Sequence, residues 1–239
     1  MSRTQILAAL LGAAAAALFI RLGVWQLDRW RFVRLANDLK IARLAAPPSS
    51  PFGLPYATRR WRRVTVTGTF DFDHQVVLAG RSNEGSPGVD LITPLTPDGG
   101  GRPILVDRGW VYSADAQTVT VAKFDEPPHT TITGYVEEFT MRSEGSARTA
   151  STPNGWRWLQ YPEIDGAFPF AIAPFYIVAQ PDSGVGQSPD APVRHPLPSL
   201  DEGPHKVYAI QWFTFALIAL VGSSIVIGKE QQLRRGGNP

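Results

Sequence analysis

The feature that most constrains this sequence is an apolar run at residues 207–227 that contains no Asp, Glu, Lys or Arg. At about 1.5 Å per residue, a helix of this length covers roughly the 30 Å of hydrocarbon in a lipid bilayer. The run therefore predicts a transmembrane helix at residues 207–227, followed by a tail at residues 228–239.

A second apolar run lies at residues 4–20 and is rich in alanine. It sits at the lower length limit of a membrane span, and its small residues at 13–17 also suit the cleavage site of a signal peptide. Apolar side chains continue at helical spacing past these alanines, as far as Trp25. We therefore favour an uncleaved transmembrane helix at residues 4–24.

Two spans place both termini on one side of the membrane and the middle of the chain on the other. The basic tail favours a cytoplasmic C-terminus by the positive-inside rule, whereas the arginines that follow the first span point the other way. Charge counting is less reliable beside a long translocated domain, so we give the tail more weight. We expect a bacterial inner (plasma) membrane protein with cytoplasmic termini and a periplasmic central domain.

The composition argues against several classes of function. The chain has no cysteine, which excludes disulfides, thiolate metal sites and a cysteine nucleophile. Its net charge of +2 comes from scattered basic residues, which does not suggest nucleic-acid binding. Catalytic motifs such as HExxH, GxSxG and the P-loop are missing, and the four histidines show no metal-binding spacing. We expect a protein that is not an enzyme.

The first helix is expected to continue beyond the membrane. Apolar residues recur at helical spacing among Arg and Lys through residues 25–46, until Pro47 and Pro48 end the pattern. This segment predicts an amphipathic extension that lies either on lipid headgroups or on the central domain.

From Trp61 onward the apolar period changes to two, with Gly and Pro turns between short runs. Strands are expected at 64–72, 75–79, 89–93, 104–112, 118–122, 130–137, 156–160 and 175–178, with one helical turn at 163–167. The predicted fold is therefore two transmembrane α-helices flanking a mainly β extracytoplasmic domain at 56–180, an antiparallel barrel or sandwich. Residues 181–206, rich in Pro, Gly and Ser, are expected to form an irregular tether.

Several sequence strings occur in a specific order between and beside the two spans. They are LGVWQLDR at 22–29, RRVTVTGTFD at 62–71, GSPGVDLITPL at 85–95, ILVDRGWVY at 104–112, PFYI at 174–177 and HKVYAIQWF at 205–213. With this layout the chain resembles the Surfeit locus protein 1 family of cytochrome c oxidase assembly factors, from about Leu22 to Phe213. One departure is Gly203-Pro204, where family members often carry two Asn before the His.

The resemblance implies a role in the biogenesis of the haem–copper oxidase, at the step where haem a enters the catalytic subunit. Haem a is then a transient cofactor. The implied partners are the oxidase catalytic subunit and haem a synthase, together with the lipid bilayer. The alternative is a structural scaffold that holds an oxidase assembly intermediate and binds no haem.

His205 is the leading candidate for a cofactor ligand. On a helix, Tyr208 and Trp212 lie within roughly 60° of its direction and form one aromatic stripe. An imidazole can bind haem iron axially while aromatic rings cover the macrocycle, and the resemblance makes haem binding the hypothesis to test. The alternative is an ordinary interfacial aromatic belt next to a solvated histidine. His195, in the tether on the aqueous side, is expected to matter little for haem binding.

Further candidates for cofactor binding stand where the first helix leaves the membrane, namely Trp25, Gln26 and Arg29. Trp25 suits an interfacial anchor. Gln26 and Arg29 share a helix face and are candidates for binding a haem propionate, although Arg29 can instead reach lipid phosphate.

A third group of candidates lies in the β domain. In LVDRGWV we favour a structural role, in which Arg108 pairs with Asp107 or another carboxylate, Gly109 supplies a bulge and Trp110 fills the core. The alternative is a docking surface of exposed Arg and Trp side chains. Upstream, a tight turn that leads into a strand is expected, and the residues proposed to form it are Gly85, Pro87 and Gly88.

Overall fold

The structure is a computed structural model that describes residues 3–141, 146–150, 152–181 and 190–236, with side chains to residue 232. The chain forms two compact units. The helical unit comprises Met1–Leu39 and Ser199–Pro239, and the β unit comprises Lys40–Pro198.

Two long helices build the helical unit. Helix α1 runs without a break from Arg3 to Ala45 and ends two residues before Pro47, so the expected extension is continuous with the first apolar run. Helix α3 runs from His205 to Gly236. Both are long and apolar enough to cross a membrane, by length and composition. The predicted pair of apolar helices flanking a mainly β domain is confirmed.

The two long helices pack in antiparallel order. Gln5 Nε2 donates to the Ile227 carbonyl at 3.4 Å near one end of the pair, and Gly12 faces Ser223. Further along, a Cβ on Gly23 would lie 2.7 Å from the Phe213 ring. Small residues at these contacts let the helix backbones approach closely, which is how helices associate where lipid removes the hydrophobic driving force.

Among its described residues, the β unit has seven strands and one short α-helix, α2, at Tyr56–Arg59. The strands are β1 Arg63–Phe70, β2 Val76–Asn83, β3 Ser86–Pro97, β4 Ile104–Tyr112, β5 His129–Glu137, β6 Gly155–Trp156 and β7 Tyr176–Ala179. Their order in the sheet is β1-β5-β7-β4-β3-β2-β6. Because β1 also pairs with β3, five strands form a closed circuit of pairings, and all five contribute side chains to one buried apolar cluster.

The sheet differs from the expected one in two respects. Most pairings are antiparallel as predicted, but β4 with β7 and β2 with β6 are parallel. The strand expected at 118–122 is wrong, because the chain there forms a 3₁₀ helix at Val121–Phe124. Its apolar side chains pack on the cluster around Val77 and Leu91, so burial rather than strand pairing explains their spacing.

The second half of the domain is less regular than predicted. Of the strand expected at 156–160, only Trp156 belongs to β6, and Gln160 forms an isolated bridge with Thr140. A 3₁₀ helix at Asp165–Ala167 occupies the predicted helical turn. This irregular segment packs on β2, β3 and β4 through a second buried cluster that includes Trp156 and Ile164.

Part of the predicted tether is attached to the sheet. Its residues 182–189 lie outside the described part of the chain. Further on, Val193 and Trp110 exchange two backbone hydrogen bonds of 2.7 and 2.8 Å, which joins the chain to β4. We call residues 193–195 the strap.

Candidate functional site

The helix pair holds the leading candidate, His205, at the first residue of α3. Its Nδ1 lies 2.8 Å from Oε1 of Gln26, which is only 9% exposed on α1. The two residues are 179 positions apart in the sequence, so only the pairing of the helices brings them together.

The aromatic stripe along α3 is present, but it is shared with α1. Tyr208 is 44% exposed. The Trp212 indole stacks on Phe19 of α1, with ring centroids 5.8 Å apart and planes at 21°, and it meets Phe215 edge-on. Tyr208 is therefore accessible, whereas Phe19 and Phe215 occupy part of the surface of Trp212.

The structure separates the three candidates at the exit of α1. Gln26 is buried against His205, whereas Trp25 is 56% exposed. The Arg29 guanidinium lies 5.5 Å from the centroid of the Phe32 ring and is exposed. Gln26 and Arg29 therefore face different surroundings, and propionate binding remains a prediction for Arg29.

A polar cluster next to His205 was missed from the sequence. Trp30 Nε1 donates to Glu202 at 2.6 Å, and the Lys206 ammonium lies 4.2 Å from the centroid of the Trp30 ring. Two turns further along α1, Asn37 Nδ2 donates to the Leu200 carbonyl at 2.8 Å. These contacts fix the chain that enters α3, and no local sequence pattern indicates them.

The donor set of the helix pair fits a haem bound through one axial ligand. His205 is the single histidine of the helical unit, and a neutral imidazole with aromatic neighbours is a common haem environment. Arg29, three residues from Gln26, supplies a cation that suits a carboxylate.

In the β unit, the sequence motif around Arg108 builds a buried charge network. Arg108 is fully buried, and its Nε lies 2.8 Å from Glu126 Oε2. Its Nη1 donates to Gln75 and Thr93 at 3.3 Å, and its guanidinium lies 4.9 Å from the Phe72 ring centroid. The ion-pair partner is Glu126 rather than Asp107, and the docking alternative is wrong for Arg108 because no surface is exposed.

The expected bulge is present in β4. Leu91 pairs with Gly109 and Ile92 with Asp107, so Arg108 is the additional residue of the bulge. Gly109 has φ +120, and Asp107 Oδ1 accepts a hydrogen bond from its backbone nitrogen at 3.0 Å. A Cβ on Gly109 would overlap the Val193 carbonyl, so this glycine also makes room for the strap.

The other structural candidates flank the β2–β3 hairpin. Its two-residue turn is Glu84-Gly85, with φ +49 and +82, a pair of conformations typical of a tight hairpin. Pro87 and Gly88 lie in β3 rather than in the turn. In that strand, Pro87 pairs with Ser82 of β2. A side chain at position 88 is sterically excluded, because a Cβ on Gly88 would overlap the half-buried Trp110 indole.

The strap brings together ionisable residues that the sequence did not connect. His195 Nε2 lies 3.1 Å from Asp90 Oδ1 and 3.6 Å from Asp107 Oδ1, and both carboxylates are buried. The nearby carboxylates, Asp107 first and then Asp90, raise the pKa of His195 to about 10, although burial opposes the shift. Arg81 completes the group at 3.2 Å from Asp90. No sequence pattern places His195 beside these carboxylates, and the expectation that it matters little for haem binding stays a prediction.

Arg194 of the strap joins the Arg108 network. Its guanidinium donates to Glu126 and to the Arg108 carbonyl. Glu126 thus lies between two arginines, one of β4 and one of the strap. These partners are 68 and 86 residues from Arg194, which explains why sequence spacing did not reveal them.

In its described residues, the chain combines a seven-stranded domain with two helices long and apolar enough to cross a membrane, joined by a partly buried Gln–His contact. The sequence profile of the SURF1 family matches residues 13–217. The chain belongs to the SURF1 family.

Individual relatives are more distant. The chain is 33% identical over 163 residues to a SURF1-like protein of Monosiga brevicollis, covering 58% of each. It is 28% identical over 187 residues to an uncharacterised SURF1-like protein of Mycobacterium bovis, covering 74% of this chain and 63% of the relative. It is 27% identical over 153 residues to the cytochrome oxidase assembly protein SHY1 of Saccharomyces cerevisiae, covering 60% of this chain and 38% of the relative. The aligned part spans about three fifths of the length of the first two relatives.

Proposed function

We propose that this protein is a membrane-anchored assembly factor for cytochrome c oxidase that holds haem a as cargo and assists its delivery to the catalytic subunit. Membership of the SURF1 family and the similarity to an oxidase assembly protein support the assembly role. The observation that carries the haem step is the half-buried His205 imidazole, held by Gln26 at 2.8 Å next to exposed Tyr208.

The residues of the helix pair have distinct tasks in this proposal. His205 offers one nitrogen to iron, and Tyr208 and Trp212 provide apolar surface beside it. Arg29 provides a cation for a propionate. Haem a itself supplies the redox chemistry only after transfer, in the oxidase. A site with a single strong axial ligand favours release to a subunit that offers its own histidines.

The proposal also assigns a place and partners. The protein is anchored in a bacterial inner membrane with a periplasmic β domain and cytoplasmic termini. It acts on the oxidase catalytic subunit and receives haem from haem a synthase, without catalysing a reaction of its own. The antiparallel order of α1 and α3 supports the shared location of the two termini, because it brings the start of α1 beside the far end of α3.

One observation favours a second function, the scaffold. Beyond the apolar run, α1 exposes large apolar side chains at helical spacing, namely Phe32, Leu35 and Leu39, each at least 58% exposed. Such a stripe suits contact with another protein. A scaffold would use this stripe and need no haem.

The haem proposal is tested by replacing its ligand. His205→Ala should remove most of the haem a that copurifies with the full-length protein when haem a is supplied, while membrane insertion is unchanged because the apolar run is intact. Trp212→Ala should weaken binding less, since stacking contributes less than the iron bond. The readouts are haem content and ferrous and ferric Soret spectra of the detergent-purified protein.

The matched control is His129→Ala, because His129 is exposed in the β unit and bonds only to exposed Asp98 among its described contacts. His195 is unsuitable as a control, since its replacement would leave the buried carboxylates of Asp90 and Asp107 without their imidazole partner. A His205→Ala protein that keeps full haem with an unaltered Soret band overturns the ligand assignment. A wild-type protein that never carries supplied haem makes the scaffold the better account.

A further inference from the structure

We propose that Gln26 is a positioning residue that fixes the tautomer of His205, so that the Nε2 lone pair faces outward as the ligand atom. The role of Nε2 as an iron ligand rests on the proposed function. The tautomer and its control by Gln26 do not, because they follow from the contact between the two side chains.

The proton assignment follows from the atoms in contact. Oε1 of Gln26 is 2.8 Å from Nδ1 of His205, and a carboxamide oxygen can only accept a hydrogen bond. With the Gln26 amide oxygen turned to the ring in this way, the imidazole carries a proton on Nδ1. A neutral imidazole carries one ring proton, so Nε2 then bears the lone pair that a metal requires.

The part of α1 that carries Gln26 is held on both sides. Three residues earlier, Gly23 packs directly against the Phe213 ring of α3. Four residues later, Trp30 donates to Glu202 at 2.6 Å, and Lys206 of α3 pairs with the same carboxylate at 3.8 Å. These contacts hold α1 against α3 on one side of Gln26 and against the segment that enters α3 on the other.

Gly203, the residue before Pro204, lies beside the edge of His205 that carries Nε2. It has φ +68, and a Cβ on it would be in van der Waals contact with Cδ2 at 3.5 Å and Nε2 at 3.6 Å of His205. The backbone that leads into α3 therefore borders the ring atom whose lone pair Gln26 sets.

A hydrogen-bond acceptor on the second ring nitrogen is the usual partner of a metal-binding histidine. It fixes the ring orientation and raises the basicity of the ligand nitrogen, and its loss typically lowers metal affinity roughly 10–100-fold. We therefore assign Gln26 the role of orienting the ligand nitrogen of His205. This role replaces the expected propionate contact, which is left to Arg29 alone.

The tautomer can be measured without haem. The full-length protein is labelled with ¹⁵N histidine, which gives four imidazoles, and His205→Gln identifies the signal of His205. Over a pH series that reaches the neutral ring, wild type should show a protonated Nδ1 and an unprotonated Nε2. Gln26→Leu should shift the population towards Nε2–H, the form that ordinarily predominates in a solvated imidazole, whereas Gln26→Glu should keep Nδ1–H because the acceptor remains.

Haem binding gives the second readout. Gln26→Leu should lower the affinity of the supplied haem by roughly 10–100-fold. Gln26→Glu should retain binding and shift the midpoint potential to a more negative value, because a carboxylate acceptor increases the electron donation of the imidazole. Gln211→Leu, an equivalent change at an exposed position of α3, is the matched control and should leave both readouts unchanged.

The outcomes separate this inference from the proposed function. A wild-type ring protonated on Nε2, or a tautomer ratio that is equal in wild type and Gln26→Leu, overturns the positioning role whether or not haem binds. A wild-type Nδ1–H that Gln26→Leu removes supports it even if no haem is bound, in which case the proposed haem step fails and the hydrogen bond stands.

Discussion

At the scale of single residues, Arg108 explains how the β unit accommodates a charge that is entirely out of solvent. Burial opposes ionisation and lowers the pKa of Arg108, while the hydrogen bond to Glu126 raises it. A buried charge is tolerated when its hydrogen-bonding capacity is filled, and here Glu126, Gln75 and Thr93 supply oxygen acceptors. The bulge at Gly109 places Arg108 where these acceptors lie.

We expect Gly109→Ala and Gly88→Ala each to lower the free energy of unfolding by about 1–3 kcal/mol. At Gly109 the reason is a φ of +120 together with overlap with the strap, and at Gly88 it is overlap with Trp110. Denaturant unfolding of the full-length protein in detergent, followed by tryptophan fluorescence, measures the loss. Gly99→Ala is the control, because a Cβ there meets nothing within 4 Å. Variants at both positions that unfold like wild type would exclude steric strain as the reason for these glycines.

At the scale of elements, the strap explains why part of a Pro-rich segment has a defined place. A short antiparallel bridge to β4 is too small to hold a chain by itself, but side chains add ion pairs on either side of it. His195 meets carboxylates from β3 and β4, and Arg194 meets Glu126. The strap is therefore held by electrostatic contacts that depend on the charge of His195.

The pH dependence of this attachment has a definite sign. The pKa of His195 rises from 6.5 in the unfolded chain to about 10 in the folded protein, under the influence of Asp107 and Asp90, with Arg81 as the remaining charged neighbour. The folded state binds the proton more tightly, so its stabilising contribution is complete below about pH 6.5, decreases as the pH rises, and is lost above about pH 10.

We therefore expect the difference in unfolding free energy between wild type and His195→Asn to shrink steadily between about pH 6.5 and pH 10. Denaturant unfolding of both proteins over a pH series measures the difference, so that other titrating groups cancel. His129→Asn serves as the control, since its exposed pair with Asp98 lies in solvent. A difference between wild type and His195→Asn that is the same at every pH would contradict the assignment of His195 as the charged member of the cluster.

At the scale of the whole molecule, one chain combines a helix pair with a β unit that has its own buried clusters. The helix pair carries His205 at the first residue of α3. In the β unit, Arg108 and Arg194 form ion pairs with Glu126. The sequence motifs are therefore divided between the two units. The motifs of 22–29 and 205–213 belong to the helix pair, and those of 85–95 and 104–112 to the β unit.

We expect both termini to be cytoplasmic and the β unit to be periplasmic. The basic residues after α3 favour this orientation, and antiparallel packing of α1 and α3 requires the two termini to share a side if both helices span the membrane. A reporter that matures only in the cytoplasm should give signal at the C-terminus and none when inserted after Asp98, in an exposed glycine turn. The opposite pattern, dark at the C-terminus and bright at Asp98, would reverse the topology.

Sequence patterns alone predicted the elements whose cause is local. Length and lack of charge indicated the two apolar helices, and alternation indicated most strands. The Gly109 bulge was also expected, because glycine in a strand marks irregular backbone. Alternation failed at 118–122, where the apolar side chains are partly buried against the cluster around Val77 and Leu91 and the chain enters a 3₁₀ helix.

What only the tertiary structure decided are the contacts between distant parts of the chain. Gln26 meets His205 over 179 positions, and Arg194 meets Glu126 over 68. His195 meets Asp90 of β3 and Asp107 of β4, so the sequence around it gives no sign of the charged cluster. Short-range periodicity records how a segment is buried, whereas hydrogen bonds and ion pairs depend on which surfaces meet after folding. The sequence therefore determined the helices, most strands and the candidate ligand, and the tertiary structure determined the partners that orient and charge them.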